Sequence, residues 1–309
     1  AATVLALLAL VIVYRIAHWP LRLQVDRVTV LVAGILVLTL AVRLLEIRQL
    51  VLPLWVDSVH HTFITDLIVN QGEVPAGYEP AFPSAGFMHH FGFHAVAAWL
   101  SWLACLEPAR AVLIYGQILN ALAAWTTYLL AKRLSEQRVA GVAAALVVGL
   151  LSPMPAYYVT WGRYTQLAGM VLLPLAIVSA MDALKGHGWR SLAVGGLSAA
   201  GLFLTHYRVA VFYAAFVLLY AFCTAWECRL KLPALRVLGQ RLLALSGLAL
   251  TLVSPWILHL WRVRIAALVA APGSLQGAPG LNVLPEGLLW FPGMVPLYYL
   301  AGLGAVAGL

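Results

Sequence analysis

The sequence predicts an all-α fold, a polytopic transmembrane helical bundle with about nine crossings. Hydrophobic residues make up 63% of the 309 residues, charged residues only 10%, and the mean hydropathy is +0.93. Soluble domains carry roughly 45–50% apolar and about 25% charged residues, so this composition excludes a soluble globular class. The apolar residues also form long continuous runs instead of short alternating strands, and such runs indicate membrane helices.

Nine apolar runs are long enough, or nearly long enough, to cross a bilayer, which takes roughly 20 helical residues. These runs lie at about 1–14, 28–45, 111–131, 139–156, 166–183, 191–205, 209–226, 241–261 and 288–309. We expect one transmembrane domain over residues 1–309, with no internal repeat. Because the last run stops with the sequence, we also expect a C-terminal part to be missing.

Lysine and arginine are concentrated in alternate connections between these runs, and this pattern predicts the orientation. The positive-inside rule places basic connections in the cytoplasm. The basic connections are 15–27, 132–138, 184–190 and 227–241. The intervening connections, at 46–110, 157–165, 206–208 and 262–287, are therefore predicted to be extracytoplasmic, and the predicted location is the plasma membrane.

The first external connection is large because one apolar run inside it is too short to cross. Residues 95–106 offer only about 12 apolar positions, which suits a re-entrant or interfacial helix. Residues 46–110 are thus predicted as a single external loop. It would contain a helix near 57–70, a Pro/Gly-rich turn region at 72–86 and an interfacial helix at about 87–106.

Ionisable side chains are concentrated in one segment of this loop, residues 55–94. The segment has no Lys or Arg but contains four of the eleven acidic residues and five of the nine histidines of the chain. They are Asp57, Asp66, Glu73, Glu79, His60, His61, His89, His90 and His94. Ionisable groups beside a membrane are costly and usually functional, so the segment is the predicted active site.

Asp57 is the leading catalytic candidate because it lies at the predicted exit from the membrane. His61 follows four residues later, on the same face of a helix. A carboxylate at this place can act as a general base or bind a metal. It can also simply cap the helix, as Ser58 could, and the residues alone leave both interpretations open.

The histidines have two interpretations each. His89, His90 and His94 could bind zinc or manganese, or contact a substrate hydroxyl or phosphate, and His90 and His94 would share a helical face. His60 and His61 either take part in the site or are interfacial polar residues. Glu73 is a candidate substrate or metal contact, although solvation at the surface would also explain it.

Two short external turns each contain one arginine. They are Arg163, followed by Tyr164, and Arg208, preceded by His206. Tyr164 is itself a candidate substrate or metal contact. Arginine binds phosphate well because its planar guanidinium donates parallel hydrogen bonds. We therefore predict that Arg163, Arg208 and His206 bind a lipid-linked phosphate. Anchoring of helix ends among lipid headgroups is the alternative.

Three motifs resemble a known family. Asp57-Ser58-x-x-His61, then Pro83-Ser84-Ala85-Gly86-Phe87 and Gly92-Phe93-His94-Ala95, are similar to the first external loop of GT-C glycosyltransferases. Those are polytopic membrane enzymes that use polyprenyl-phosphate-linked sugars. Ser152-Pro153 before the turn at 157–165 also resembles the end of a conserved helix of that family. The resemblance covers roughly residues 28–210. Two departures are Pro83-Ser84 in place of Pro-Pro, and the lack of an Asp-x-Asp at 157–165.

The resemblance implies a glycosyltransferase in which Asp57 is the catalytic carboxylate that deprotonates the acceptor. We expect inversion at the anomeric carbon, with His61 positioning Asp57 or the acceptor. The expected partners are a polyprenyl-phosphate-sugar donor, the lipid bilayer and an acceptor that is a glycan, lipid or protein. No cofactor is certain, and a divalent metal, Mg²⁺ or Mn²⁺, is the candidate. Nucleic acid is excluded as a partner because the basic residues are spread over several loops as topology signals.

Two other functions remain open. A transporter or flippase for a lipid-linked saccharide would need polar residues along the crossings, which are almost free of charge. A non-catalytic scaffold subunit of a larger complex would more often expose apolar anchors than a cluster of His and Asp. Both explain the concentrated polar loop less well than an enzyme does.

Overall fold

The computed structural model describes residues 26–270, apart from the side chains of residues 82–85 and 266–270. The chain forms two compact units, 1–257 and 258–309, and of the second only the end of one helix is described. The described elements are α1 (Arg27–Glu46), α2 (Val56–Gln71), β1 (Gly77–Tyr78), β2 (Phe82–Gly86), α3 (Gly92–Ala104), α4 (Pro108–Ser135), α5 (Arg138–Leu146, continued by a π turn at Val147–Leu151), α6 (Ala156–Thr160), α7 (Tyr164–Lys185), α8 (Trp189–Thr205), α9 (Tyr207–Glu227) and α10 (Leu232–Ala270). The all-α class is confirmed.

Several helices are long and apolar enough to cross a membrane. Within residues 26–270 there are five such segments, namely α1, α5 to α6, α7, α9 and most of α10. A sixth arises if α3 and α4, which meet at a bend of 112°, are counted as one span. The expected count of about nine is not confirmed. Runs 1–14 and 288–309 lie outside the described residues, and the 17 residues of α8 extend only about 25 Å, less than the roughly 30 Å hydrocarbon core.

The described helix ends beside the basic connections lie together. The contacts are the ion pairs Asp26–Arg138 and Arg133–Asp182, and a 2.9 Å hydrogen bond from Arg241 Nη1 to the carbonyl of Leu184. They join the residue before α1 to the start of α5, the end of α4 to the end of α7, and the end of α7 to α10, which agrees with the grouping that the charge pattern predicted. Ion pairs that keep solvent contact contribute about 1 kcal/mol or less, so these contacts show where the helix ends lie more than they hold them together.

The main hydrophobic core of the site-bearing region lies where α3, α4 and α7 pack. Tyr164, the first residue of α7, is completely buried there. Its ring occupies space left by Gly116 of α4, where a Cβ atom would lie only 2.4 Å from Tyr164 Cε1. The missing side chain of Gly116 therefore lets α7 begin deep in the core, and this fixes the position of Arg163 just before it.

Residues 46–110, the loop predicted to be external, follow the predicted order with two differences. The helix expected near 57–70 is α2, and the turn region contains the small antiparallel hairpin β1–β2. The helix expected from about residue 87 begins only at Gly92. A Cβ atom at Gly92 would lie 2.6 Å from Thr205 Oγ1, so α3 starts at a close approach to the end of α8. Residues 87–91 are left in a loop, and His89 and His90 lie in it.

Candidate active site

A cavity of about 360 Å³ lies among the connections that were predicted to be external. Four separate segments contribute its lining. They supply Val56, Asp57, His60 and His61 from α2, His89 and His90 from the loop before α3, Arg163, Thr165 and Gln166 around the start of α7, and His206, Tyr207 and Arg208 around the start of α9. The fold thus brings together the acidic residue, four of the five loop histidines and both turn arginines.

Asp57 and Arg163 form an ion pair in this cavity. Asp57 Oδ2 lies 2.7 Å from Arg163 Nη1, and the two side chains are 37% and 40% exposed. The guanidinium carbon of Arg163 also lies 4.7 Å above the centre of the Trp161 ring. The arginine is therefore held between an aromatic face and a carboxylate, with its remaining N–H donors available for other acceptors.

Gly162 determines how closely the Arg163 turn approaches α2. Its φ angle is +69°, a conformation that side chains bearing a Cβ rarely adopt. A Cβ atom there would also lie 2.7 Å from Ser58 Oγ and 3.1 Å from the Ser58 backbone nitrogen. Both constraints require glycine. With any other residue at position 162, the turn or α2 would have to shift, which would change the position of Arg163 relative to Asp57.

Three helices begin at the cavity. Asp57 is in the first turn of α2, Thr165 and Gln166 are in the first turn of α7, and Arg208 is in the first turn of α9. The first N–H groups of a helix have no partner within it, and the helix dipole places partial positive charge there. Together with two arginines facing one carboxylate, this makes the cavity suited to an anion.

The buried histidines form a group different from the one predicted. His61 Nδ1 lies 2.9 Å from His94 Nε2, and both side chains are buried. One ring nitrogen from each of His61, His89 and His94 lies within 4.8 Å of the other two. His90 is outside this trio, and its ring centre lies 4.2 Å from that of His89 and 4.8 Å from that of His206. The predicted sharing of a helical face by His90 and His94 is wrong, because His90 precedes the start of α3.

Burial keeps the histidines of the site neutral at pH 7. Loss of solvent is the largest cause, and it lowers the pKa of His61 to about 3 and that of His89 to about 4. Burial, followed by the charges of Arg208 and Arg163, lowers the pKa of His206 to about 4. The histidines therefore offer nitrogen lone pairs as well as N–H groups, while the arginines supply the positive charge.

Charge from Asp57 acts on a different histidine from the one predicted to position it. The carboxylate opposes the burial that lowers the pKa of His60, which also lines the cavity. His61, by contrast, has its Nδ1 against His94. His60 therefore lies in the cavity under the influence of the Asp57 charge, whereas His61 contacts the buried His94.

Three predicted site residues do not line the cavity, namely His94, which belongs to the buried trio, Tyr164 and Glu73. Tyr164 is fully buried and presents its ring edge to His61, with 6.3 Å between ring centres, so it supports the site from the core. Glu73 lies exposed just beyond the end of α2. Its exposure agrees with the alternative that it is simply a solvated surface residue.

Sequence reasoning missed the lining residues Thr165, Gln166 and Tyr207. A signal was available for the first two, because they are polar residues at the start of a long apolar run, directly after Arg163 and Tyr164. No comparable signal marked Tyr207, because aromatic residues are common at the ends of membrane helices. Its hydroxyl accepts a 2.7 Å hydrogen bond from Trp256 Nε1, which ties the start of α9 to α10.

No protein-family model matches this chain, and no curated protein matches it.

Proposed function

We propose that this protein is a membrane glycosyltransferase that moves a sugar from a polyprenyl-phosphate-linked donor to an acceptor hydroxyl in the cavity. The observation that supports the proposal is the meeting of Asp57 with Arg163 and Arg208 in one cavity at which three helices begin. A proton acceptor and an anion-binding surface are the two requirements of such a transfer. The resemblance of the first loop to GT-C glycosyltransferases points to the same reaction.

The donor phosphate is assigned to Arg163 and Arg208. An arginine can donate up to five hydrogen bonds, and only one end of Arg163 is engaged by Asp57. The first-turn N–H groups of α7, beside Thr165 and Gln166, add neutral donors for phosphate oxygens. His206 is neutral at pH 7 and its Nδ1 accepts from the Val209 N–H, so its Nε2 carries the proton and can donate one further hydrogen bond there.

Asp57 is assigned as the general base. The acceptor oxygen forms a bond to the anomeric carbon as the bond from that carbon to the phosphate oxygen breaks. The proton of the acceptor hydroxyl passes to Asp57, and the electron pair of the broken bond stays with the phosphate. Because the leaving phosphate is already ionised, arginine charge suffices to stabilise it and no general acid is required. Attack from the face opposite the phosphate inverts the anomeric carbon.

A second cavity is suited to the polyprenyl chain. It has a volume of about 410 Å³ and lies among α8, α9 and α10, with an almost entirely apolar lining. Ala210 and Tyr213 of that lining lie on α9 about one and two turns beyond the start of the helix, where Arg208 lines the first cavity. A lipid bound along α9 would thus have its phosphate at Arg208 and its chain against apolar side chains.

The orientation is part of the same proposal. The basic connections lie together at one end of the helices, and the positive-inside rule assigns that end to the cytoplasm. The catalytic cavity, which is formed by the other set of connections, is then extracytoplasmic in the plasma membrane. A flippase is less well supported because the second cavity, along α9, has an apolar lining, whereas a saccharide in transit needs polar partners.

The proposal is tested by turnover. Full-length protein in nanodiscs is supplied with a panel of polyprenyl-phosphate sugars and acceptor extracts, and loss of donor is followed with Asp57→Asn as the inactive variant. We expect one donor to be consumed by the wild type and at least 10²-fold more slowly by Asp57→Asn, since general bases contribute about 10²–10⁴. Equal turnover by a correctly folded Asp57→Asn protein would rule out this mechanism. Consumption of no donor by the wild type would reject the function.

A further inference from the structure

Three histidines that come from different parts of the fold place their ring nitrogens around a common point. His61 is on α2, His94 on α3 and His89 on the loop between β2 and α3. The nitrogens of His61 and His94 are 2.9 Å apart, and all three lie within 4.8 Å of one another. Zinc–nitrogen bonds of about 2.0–2.1 Å at tetrahedral angles place two ligand nitrogens about 3.3 Å apart. The His61–His94 spacing is about 0.4 Å shorter than that value, and no pair of the three nitrogens is more than 4.8 Å apart.

The chemical state of these histidines also suits a ligand set. Metal ions bind imidazoles in the neutral form, and burial keeps the group neutral over the physiological range. Three buried ring nitrogens of this histidine cluster, His89 Nε2, His90 Nε2 and His94 Nδ1, have no hydrogen-bond partner among the described residues. Buried polar atoms without partners are uncommon, so several of them in one cluster support the presence of a ligand there.

We propose that His61, His89 and His94 bind one first-row transition-metal ion, with zinc preferred. A set of three imidazoles favours zinc over magnesium, which takes oxygen ligands. His61 and His89 also line the cavity, so solvent or a substrate oxygen can reach an ion held there. Three protein ligands with a fourth position open is the arrangement of zinc ions that take part in chemistry, whereas structural sites are closed by four protein ligands.

A hydrogen bond between His61 and His94 is the alternative explanation of their 2.9 Å contact. Such a bond would employ one nitrogen of each ring and would leave His89 unexplained. The metal site accounts for all three rings at once. It does not depend on the proposed function, because it predicts ion binding by the protein in the absence of any substrate.

The test measures metal directly. Full-length protein carrying an affinity tag without histidine is purified in detergent, stripped with a chelator, and titrated with Zn²⁺ and with Co²⁺. We expect about one ion per chain, with the absorption bands typical of tetrahedral Co²⁺. His89→Ala, in a loop, should weaken binding at least tenfold without unfolding the protein. His61→Ala and His94→Ala should do the same if they fold.

Two matched controls separate this trio from histidines in general. His60→Asn changes a histidine that lines the cavity outside the trio, and His187→Ala changes an exposed histidine beyond the end of α7. Both should bind zinc as the wild type does. X-ray absorption of the zinc-loaded wild type should show an imidazole nitrogen shell. Failure to bind zinc at micromolar concentration, equal loss in either control, or an oxygen-only shell would each overturn the proposal.

Discussion

The Asp57 carboxylate lies 2.7 Å from the Arg163 guanidinium, and both side chains remain about two-fifths exposed. An ion pair with this much solvent contact contributes only about 0.2–1 kcal/mol to stability. Its consequence is therefore one of position, because it places a carboxylate directly beside a guanidinium with further N–H donors. The arrangement depends on the fold, since the two residues lie about 100 positions apart in the sequence.

The first prediction separates stability from activity at this pair. Asp57→Asn and Arg163→Gln should each change the free energy of unfolding by about 1 kcal/mol or less, because exposed ion pairs are weak. The double variant should show a coupling energy of similar size. Thermal unfolding in detergent provides the measurement, alongside donor turnover. A loss of several kcal/mol in either single variant would show that the pair is structural.

A second prediction concerns the lipid phosphate. Arg208→Gln should weaken binding of a polyprenyl phosphate about 10- to 100-fold, since hydrogen bonds to charged groups contribute about 1.5–3 kcal/mol. Binding of the uncharged polyprenol should change little. Native mass spectrometry of the protein with each lipid can compare them. Arg190→Gln, at the opposite, basic end of the helices, is the control and should bind both lipids normally. Equal effects of the two substitutions would exclude a phosphate site at Arg208.

A third prediction tests the glycine that lets the Arg163 turn approach α2. Gly162→Ala introduces a Cβ atom 2.7 Å from Ser58 Oγ at a φ of +69°. We expect a stability loss of about 1–3 kcal/mol and a fall in turnover, because Arg163 moves away from Asp57. Gly201→Ala on α8 is the matched control, since nothing lies within 4 Å of its added carbon. Wild-type turnover by a stable Gly162→Ala protein would contradict the positional role of this turn.

The fourth prediction is a dependence of stability on pH at His206. Its pKa is lowered to about 4 in the folded protein, from an ordinary value of about 6.5, by burial and by Arg208 and Arg163. Above pH 6.5 the group is neutral in both states and has no effect. Between about pH 6.5 and 4 the unfolded chain binds a proton that the folded chain does not, so stability falls on acidification.

His206→Asn should make that decline shallower. Asparagine cannot titrate, yet it can still accept from the Val209 N–H, as His206 Nδ1 does at the start of α9. Unfolding temperatures of wild type and variant are compared from pH 7.5 to 4.5. Both proteins should keep some slope, because neighbouring His90 is also held neutral. Identical slopes for the two proteins would refute a titrating role for His206.

The sequence was most informative where the signal is local. Each segment partitions between lipid and water according to its own apolar length and flanking charges, independently of the other segments. The helix α2 and the grouping of the basic connections were therefore predictable. The same is true of Asp57, which was expected at the start of that helix and lies in its first turn. The crossing count was less accessible, because the bend between α3 and α4 and the short α8 depend on packing.

The sequence by itself determined an all-α membrane protein with its polar chemistry concentrated outside the apolar helices, because hydropathy and charge act on each segment separately. Tertiary structure alone decided which of those polar residues meet. The pairing of Asp57 with Arg163, the trio of His61, His89 and His94, and the three helix starts at one cavity all depend on how helices distant in sequence pack. Close packing at glycines such as Gly162 sets those distances, and no periodicity within a single segment encodes them.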